Sequence, residues 1–171
     1  MIKYVKGDLF DMVTPKTIIP HVCNNENKWG RGFVVPLMEH YMEARLQFDA
    51  WANGKSYKGR MTSRPYELGQ TQFSLVESEV YVANMIGQVF YVTDGSIRQY
   101  RPLYYNKLAD CMEQVALVAE HTDYKILAPK FGSVLAGGNW DFVECLIQDT
   151  WGDLDVTIVE YTPEKPQIRP Y

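Results

Sequence analysis

The chain has 171 residues, 46% of them hydrophobic and 22% charged, which is globular usage and excludes disorder as the main state. Its formal net charge of -4 disfavours wrapping a nucleic-acid backbone, yet main-chain amides can hold an anionic small ligand without net positive charge. Cys23, Cys111 and Cys145 are odd in number and form no Cys-x-x-Cys pair, so they read as reduced thiols of a cytosolic protein that closes its core without disulfides.

In chain order, residues 2–5 predict a short strand that Gly7-Asp8 ends. Residues 17–22 predict a second strand, in which Pro20 is awkward because it has no N–H to give a central ladder. A polar loop follows over 24–32, then one long helix with Val35, Met38, Met42 and Leu46 on one face and Glu39, Glu43 and Arg45 away from it. Lys55, Lys58, Arg60 and Arg64 lie in a stretch read as an exposed insertion; as a nucleic-acid patch it is the weaker reading. Residues 71–76 and 79–85 predict neighbouring strands, and Asp94-Gly95 marks a turn in an ambiguous stretch.

Pro102 suits a first helical position, and Leu108, Cys111, Val115 and Val118 then carry helical spacing to about His121. Residues 125–129 predict a strand, and 131–139 form a second glycine-rich loop. Asn139 can cap a helix that buries Val143, Leu146, Ile147 and Thr150, and 155–161 predict the closing strand. The alternation implies an α/β fold, a three-layer α/β/α sandwich with a central mixed sheet. One domain over 1–161 is expected, with a proline-bearing tail over 162–171. No stretch reaches the roughly 18 apolar residues of a membrane span, and the start of the chain lacks the apolar run of a signal peptide.

Two segments repeat one arrangement of strand, glycine-rich loop and helix: His21 to Phe33 and Ala128 to Gly138. Such loops at the carboxyl ends of strands line the crevice of an open α/β sheet, and free amides at a helix start favour an anion. The blander reading is that the glycines only turn the chain and cap helices. Gly30-Arg31-Gly32 lacks the third glycine of G-x-G-x-x-G, and no Walker phosphate loop, H-E-x-x-H pair or G-x-S-x-G elbow occurs. No cofactor or metal is expected.

Four motifs in register resemble the macrodomain family. They are Gly7-Asp8-Leu9-Phe10, His21-x-Cys23-Asn24 leading to Trp29-Gly30-x-Gly32-Phe33, Val82 to Gln88, and Pro129-x-x-Gly132 continuing to Leu135-Ala136-Gly137-Gly138-Asn139-Trp140. The resemblance spans Tyr4 to about Tyr161 and looks nearest to the branch of ADP-ribose 1''-phosphate phosphatases and related bacterial and phage proteins. It implies that Asp8, followed by Leu9, holds the adenine, with the carboxylate accepting from the amino group. Asn24 matches the asparagine beside the distal ribose. Gly30, Arg31, Gly32 and Phe33 match the first loop around the diphosphate. Gly132, Ser133, Val134, Leu135, Ala136, Gly137 and Gly138 match the phosphate-gripping second loop.

His21 stands where phosphatases of the branch carry a histidine, which makes it, with Asn24, the catalytic candidate. Each has a plainer reading: Asp8 as a turn cap, Asn24 as a turn residue, His21 as a hydrogen-bonded structural group, and Arg31 as a solvated side chain. The chain departs from the family's Gly-x-Gly-Leu-Ala-Gly-Gly at Val134, whose β-branch resists positive φ. The resemblance therefore leaves two functions open. One is hydrolysis of the terminal phosphate of ADP-ribose 1''-phosphate; the other is reading free or protein-linked ADP-ribose without turnover. A monomer is the expected state.

Overall fold

The structure, a computed structural model, describes residues 1–89, 102–132 and 138–162. Six strands form one sheet: β1 (Ile2–Gly7), β2 (Thr17–Asn24), β3 (Thr71–Glu77), β4 (Val80–Gln88), β5 (Lys125–Pro129) and β6 (Val156–Tyr161). Their order is β1-β6-β5-β2-β4-β3, parallel throughout except for β3, which runs antiparallel to β4. Helices α1 (Val34–His40) and α2 (Met42–Ala52) cover one face, and α3 (Tyr105–Glu120) and α4 (Trp140–Trp151) cover the other. This is the expected three-layer sandwich.

Alternation along each strand divides the core. Ile18, Met85, Ala128 and Ile158 face α3 and α4, while Ile19, Val82 and Leu127 face α1 and its neighbours. Pro20, buried in the middle of β2, fits because the ladder from β2 to β5 covers only Thr17 and Ile18. Beyond that point proline has no N–H with which to extend it, so the carboxyl ends of β2 and β5 leave the sheet unpaired with each other.

The long helix expected after loop 24–32 is two helices, broken at Tyr41 (φ -139, ψ 71). The break resets the helical phase. Val35, Met42 and Leu46, the expected inner face, are exposed, and Val34, Leu37, Ala44, Phe48 and Trp51 are buried instead. Helix α3 begins at Tyr105, three residues after Pro102, with Leu108, Cys111 and Val115 buried as their spacing required. Asn139 caps α4, its Oδ1 accepting from Asp141 N–H at 2.9 Å.

Two of the four cations of the basic stretch are engaged within the fold. Lys58 pairs with Glu43 at 3.3 Å, while Arg64 donates to Gln114 and the Thr71 carbonyl and lies over Phe73. The three cysteines are free thiols, with Cys23 and Cys111 buried and Cys145 exposed. Among the described residues no helix is long and apolar enough to cross a membrane.

Candidate functional site

The strand order places a reversal beside β2. From β2 the chain leaves for α1 and α2 on one face; from its neighbour β5 it leaves for α4 on the other. Two adjacent parallel strands whose connections diverge to opposite faces open a crevice at their carboxyl ends. The loops after β2 (loop 1, 25–33) and β5 (loop 2, 130–139) are the two singled out by their glycines, and Asp8 follows the carboxyl end of β1 on the same edge of the sheet.

Asp8 caps a short turn over Leu9–Met12, its Oδ1 accepting from Phe10 N–H at 3.0 Å. Leu9 turns its side chain into the core, so only its main chain is available at the edge. Phe10 lies in a near-parallel stack, with Phe33 of loop 1 at 5.6 Å on one ring contact and His40 of α1 at 4.2 Å on another.

Asn24 spends its side chain on loop 1. Its Oδ1 accepts from Glu26 N–H at 3.0 Å and Lys28 N–H at 3.3 Å, and its Nδ2 donates to the Lys28 carbonyl at 2.7 Å. The loop is also tied to α2. Arg45 donates to Asn27 Oδ1 at 2.5 Å and to its carbonyl at 3.2 Å, Asn27 donates to Asp49 at 2.7 Å, and the Arg45 guanidinium lies 5.3 Å over the Trp29 ring. Asn27 itself is left-handed at φ +56, a conformation asparagine tolerates. Gly30, Arg31 and Gly32 are exposed at the tip, and Gly32 takes φ +76. Asn24→Ala is expected to lower stability by about 1 kcal/mol and to speed amide exchange at Glu26 and Lys28. Unchanged protection of those two amides would refute the assignment.

His21 is 2% exposed. Its Nε2 meets Asn84 Oδ1 at 2.5 Å, the Trp29 ring stands edge-on at 5.1 Å, and Phe33 is tilted against it at 5.8 Å. Burial, only partly offset by the bond to Asn84, lowers its pKa to about 4, so it is neutral at pH 7. Cys23 lies beside it, and burial pushes that thiol well above the usual range, which keeps it protonated. The Trp29 indole N–H has no nitrogen or oxygen acceptor.

Loop 2 is pinned at both ends. Phe131 is buried against Trp151 at 5.7 Å, and Gly132 takes φ +76. At the far end Asn139 N–H donates to the Tyr105 hydroxyl at 2.8 Å, and Lys130 lies 4.9 Å over the Trp140 ring. Gly138 sits so close to the Gly132 carbonyl oxygen and to Leu103 Cδ2 that a Cβ there would overlap both. The two glycines thus form the neck of the loop. Ser133, Val134, Leu135, Ala136 and Gly137 lie outside the described residues, as does Asp94.

The structure therefore gathers Asp8, loop 1 and the neck of loop 2 on one edge of the sheet, and sets His21 and the Leu9 side chain beneath that edge. Sequence reading missed Arg45, Asn27, Tyr105 and Leu103, which hold the loops. Arg45 had a readable signal as a cation off the apolar face, one helix after a polar loop. Asn84 was visible inside the Val82 to Gln88 motif, but its partnership with His21 required the strand pairing. Among the described residues no cluster of three or more His, Cys, Asp or Glu could hold a metal ion.

No family model matches the chain. A curated ADP-ribose 1''-phosphate phosphatase of Lodderomyces elongisporus is 22% identical over 160 residues, covering 92% of this chain and 96% of that protein. The structure of a Bacteroides thetaiotaomicron protein of unknown function superposes with a TM-score of 0.80 at 29% identity, covering 94% of this chain and 97% of the other. A macrodomain protein from Streptomyces coelicolor is 30% identical, with a TM-score of 0.74, over 96% of this chain and 100% of its own. That full-length agreement in sequence and in superposed structure means that the chain belongs to the macrodomain family.

Proposed function

We propose that the crevice binds ADP-ribose and hydrolyses the terminal phosphate of ADP-ribose 1''-phosphate. The observation that carries the binding is the reversal at β2 and β5, where two glycine-bearing loops leave the same gap on opposite faces. The whole-length similarity to the Lodderomyces elongisporus phosphatase supports the reaction.

In this reading Asp8 accepts from the adenine amine with the oxygen that Phe10 does not occupy, and Leu9 contributes main chain. Amides of Gly30 to Phe33 and of the segment from Gly132 to Gly138 receive the diphosphate, and Asn24 acts by shaping the first loop. Water attacks the terminal phosphorus as the bond from phosphorus to the 1''-oxygen breaks. His21 takes the water proton and returns it to the leaving oxygen, while the exposed Arg31 guanidinium offsets the phosphate charge.

A second reading, binding without turnover, is favoured by one specific observation: His21 is enclosed by Trp29 and Phe33 and held by Asn84. Calorimetric titration with ADP-ribose, followed by phosphate release from ADP-ribose 1''-phosphate, separates the two. Binding with release that His21→Ala abolishes is the expected result. Binding without release leaves a reader, and absence of binding overturns both readings.

A further inference from the structure

His21 does not stand alone beneath the crevice. It is Cα partner to Asn84 across the β2–β4 pair, and Asn84 is Cα partner to Gln72 across the β4–β3 pair. All three side chains point to the α2 face of the sheet and are buried, as is Ser74. Gln72 Nε2 donates to the Gln47 main-chain carbonyl and to Thr62 Oγ1, each at 2.9 Å. A carbonyl can only accept, so this end of the chain has one direction. Gln72 must then present Oε1 to Asn84, whose Nδ2 donates to it at 3.0 Å and to Ser74 Oγ at 3.2 Å. That leaves Asn84 Oδ1, an acceptor, facing His21 Nε2 at 2.5 Å.

We infer that Gln72 and Asn84 are positioning residues that hold His21 as the Nε2–H tautomer, leaving Nδ1 as its basic atom. The direction is imposed by the Gln47 carbonyl and passed through two amides, neither of which can reverse without placing two donors or two acceptors face to face. The Cys23 thiol lies beside the ring at near-equal distance from both nitrogens, 3.7 Å from Nε2 and 3.9 Å from Nδ1, so the direction comes from the amides and not from the sulfur. The tautomer stands on the hydrogen bonds alone. Its use, with Nδ1 taking the proton from water, rests on the phosphatase reading proposed above.

Long-range proton–nitrogen correlation spectra of the 15N-labelled full chain test it, with the His21 signals assigned by their loss in His21→Gln. The expected result is an acceptor-type nitrogen at Nδ1 and a protonated nitrogen at Nε2, unchanged from pH 8 to pH 5. In Gln72→Met the Asn84 amide loses its directing partner, and signals of both tautomers are expected. In Asn84→Asp a carboxylate replaces the carbonyl and stabilises the imidazolium, so the His21 pKa should rise by roughly 2 units or more. A protonated Nδ1 in the neutral ring of the unmodified protein, or a mixture of tautomers there, would overturn the inference. If a variant fails to fold, the spectrum of the unmodified chain still decides. The expected tautomer in a protein that releases no phosphate removes the catalytic reading and leaves the positioning intact.

Discussion

Gly138→Ala is expected to lower stability by about 3 kcal/mol and to remove ADP-ribose binding, because the new methyl group has nowhere to go. At this position a Cβ would overlap the Gly132 carbonyl oxygen, which is backbone, and Leu103 Cδ2, whose side chain is buried. Neither can yield cheaply. Gly132 is fixed by φ +76 and by the buried Phe131 before it, and Asn139 is tied by its N–H to the Tyr105 hydroxyl. The neck must open, and the loop that would grip a diphosphate then loses its anchoring points. For a chain of this size the melting temperature should fall by roughly 6–12 °C. Gly30→Ala is the matched control: nothing lies within 4 Å of a Cβ there and its φ is not positive, so its stability should change by less than about 0.5 kcal/mol. Equal melting temperatures for the two variants would show that the neck is not closed as described.

Acid should weaken the fold through one histidine. His21 has a folded pKa of about 4 against an ordinary value of 6.5, so the folded state refuses a proton that the unfolded chain accepts. Stability is therefore fully present above pH 6.5, falls as the pH drops through the unfolded value, and levels off below the folded one. The whole difference is roughly 3 kcal/mol, of which about 2 kcal/mol is lost between pH 7 and pH 5, before most carboxylates titrate. Urea unfolding at those two pH values should show the loss in the unmodified chain and little of it in His21→Gln, whatever the absolute stability of that variant. A drop of equal size in both would mean that His21 is not the group responsible.

These results bear on how far the sequence could be read. The alternation of strands and helices gave the layers, and the two strand–glycine–helix repeats pointed to two loops that leave the same edge of the sheet, because both signals are local. The fate of 34–52 was not legible. The residues Val35, Met42 and Leu46 share helical spacing as convincingly as the buried set does, and only the break at Tyr41 and the claim of Phe48 and Trp51 on the core decide between them. Pro20 looked like a breaker and proved compatible with a buried strand, since its neighbour β5 pairs only with the residues before it.

At the site, the family resemblance made Asp8, His21 and Asn24 candidates, and residue type alone left each with a plainer structural reading. Their hydrogen bonds depend on distant partners or on loop shape, and these redistribute the roles. Asn24 folds its own loop, and His21 answers to Asn84, 63 residues away. Such pairings follow from register, which no local pattern announces.

The buried row of His21, Asn84 and Gln72 has a consequence for how the sheet assembles. β2 and β4 are parallel neighbours separated in the chain by two helices, a long connection and β3, so their pairing must be found by a search over many alignments rather than dictated by a tight turn. Apolar side chains discriminate poorly between neighbouring alignments. A ring nitrogen and two amides do not, for sliding either strand by one residue would turn one of them to the opposite face and leave its mates without partners in a water-free interior. The polar row therefore works as a vernier between β2 and β4, and alignments shifted by one residue are disfavoured.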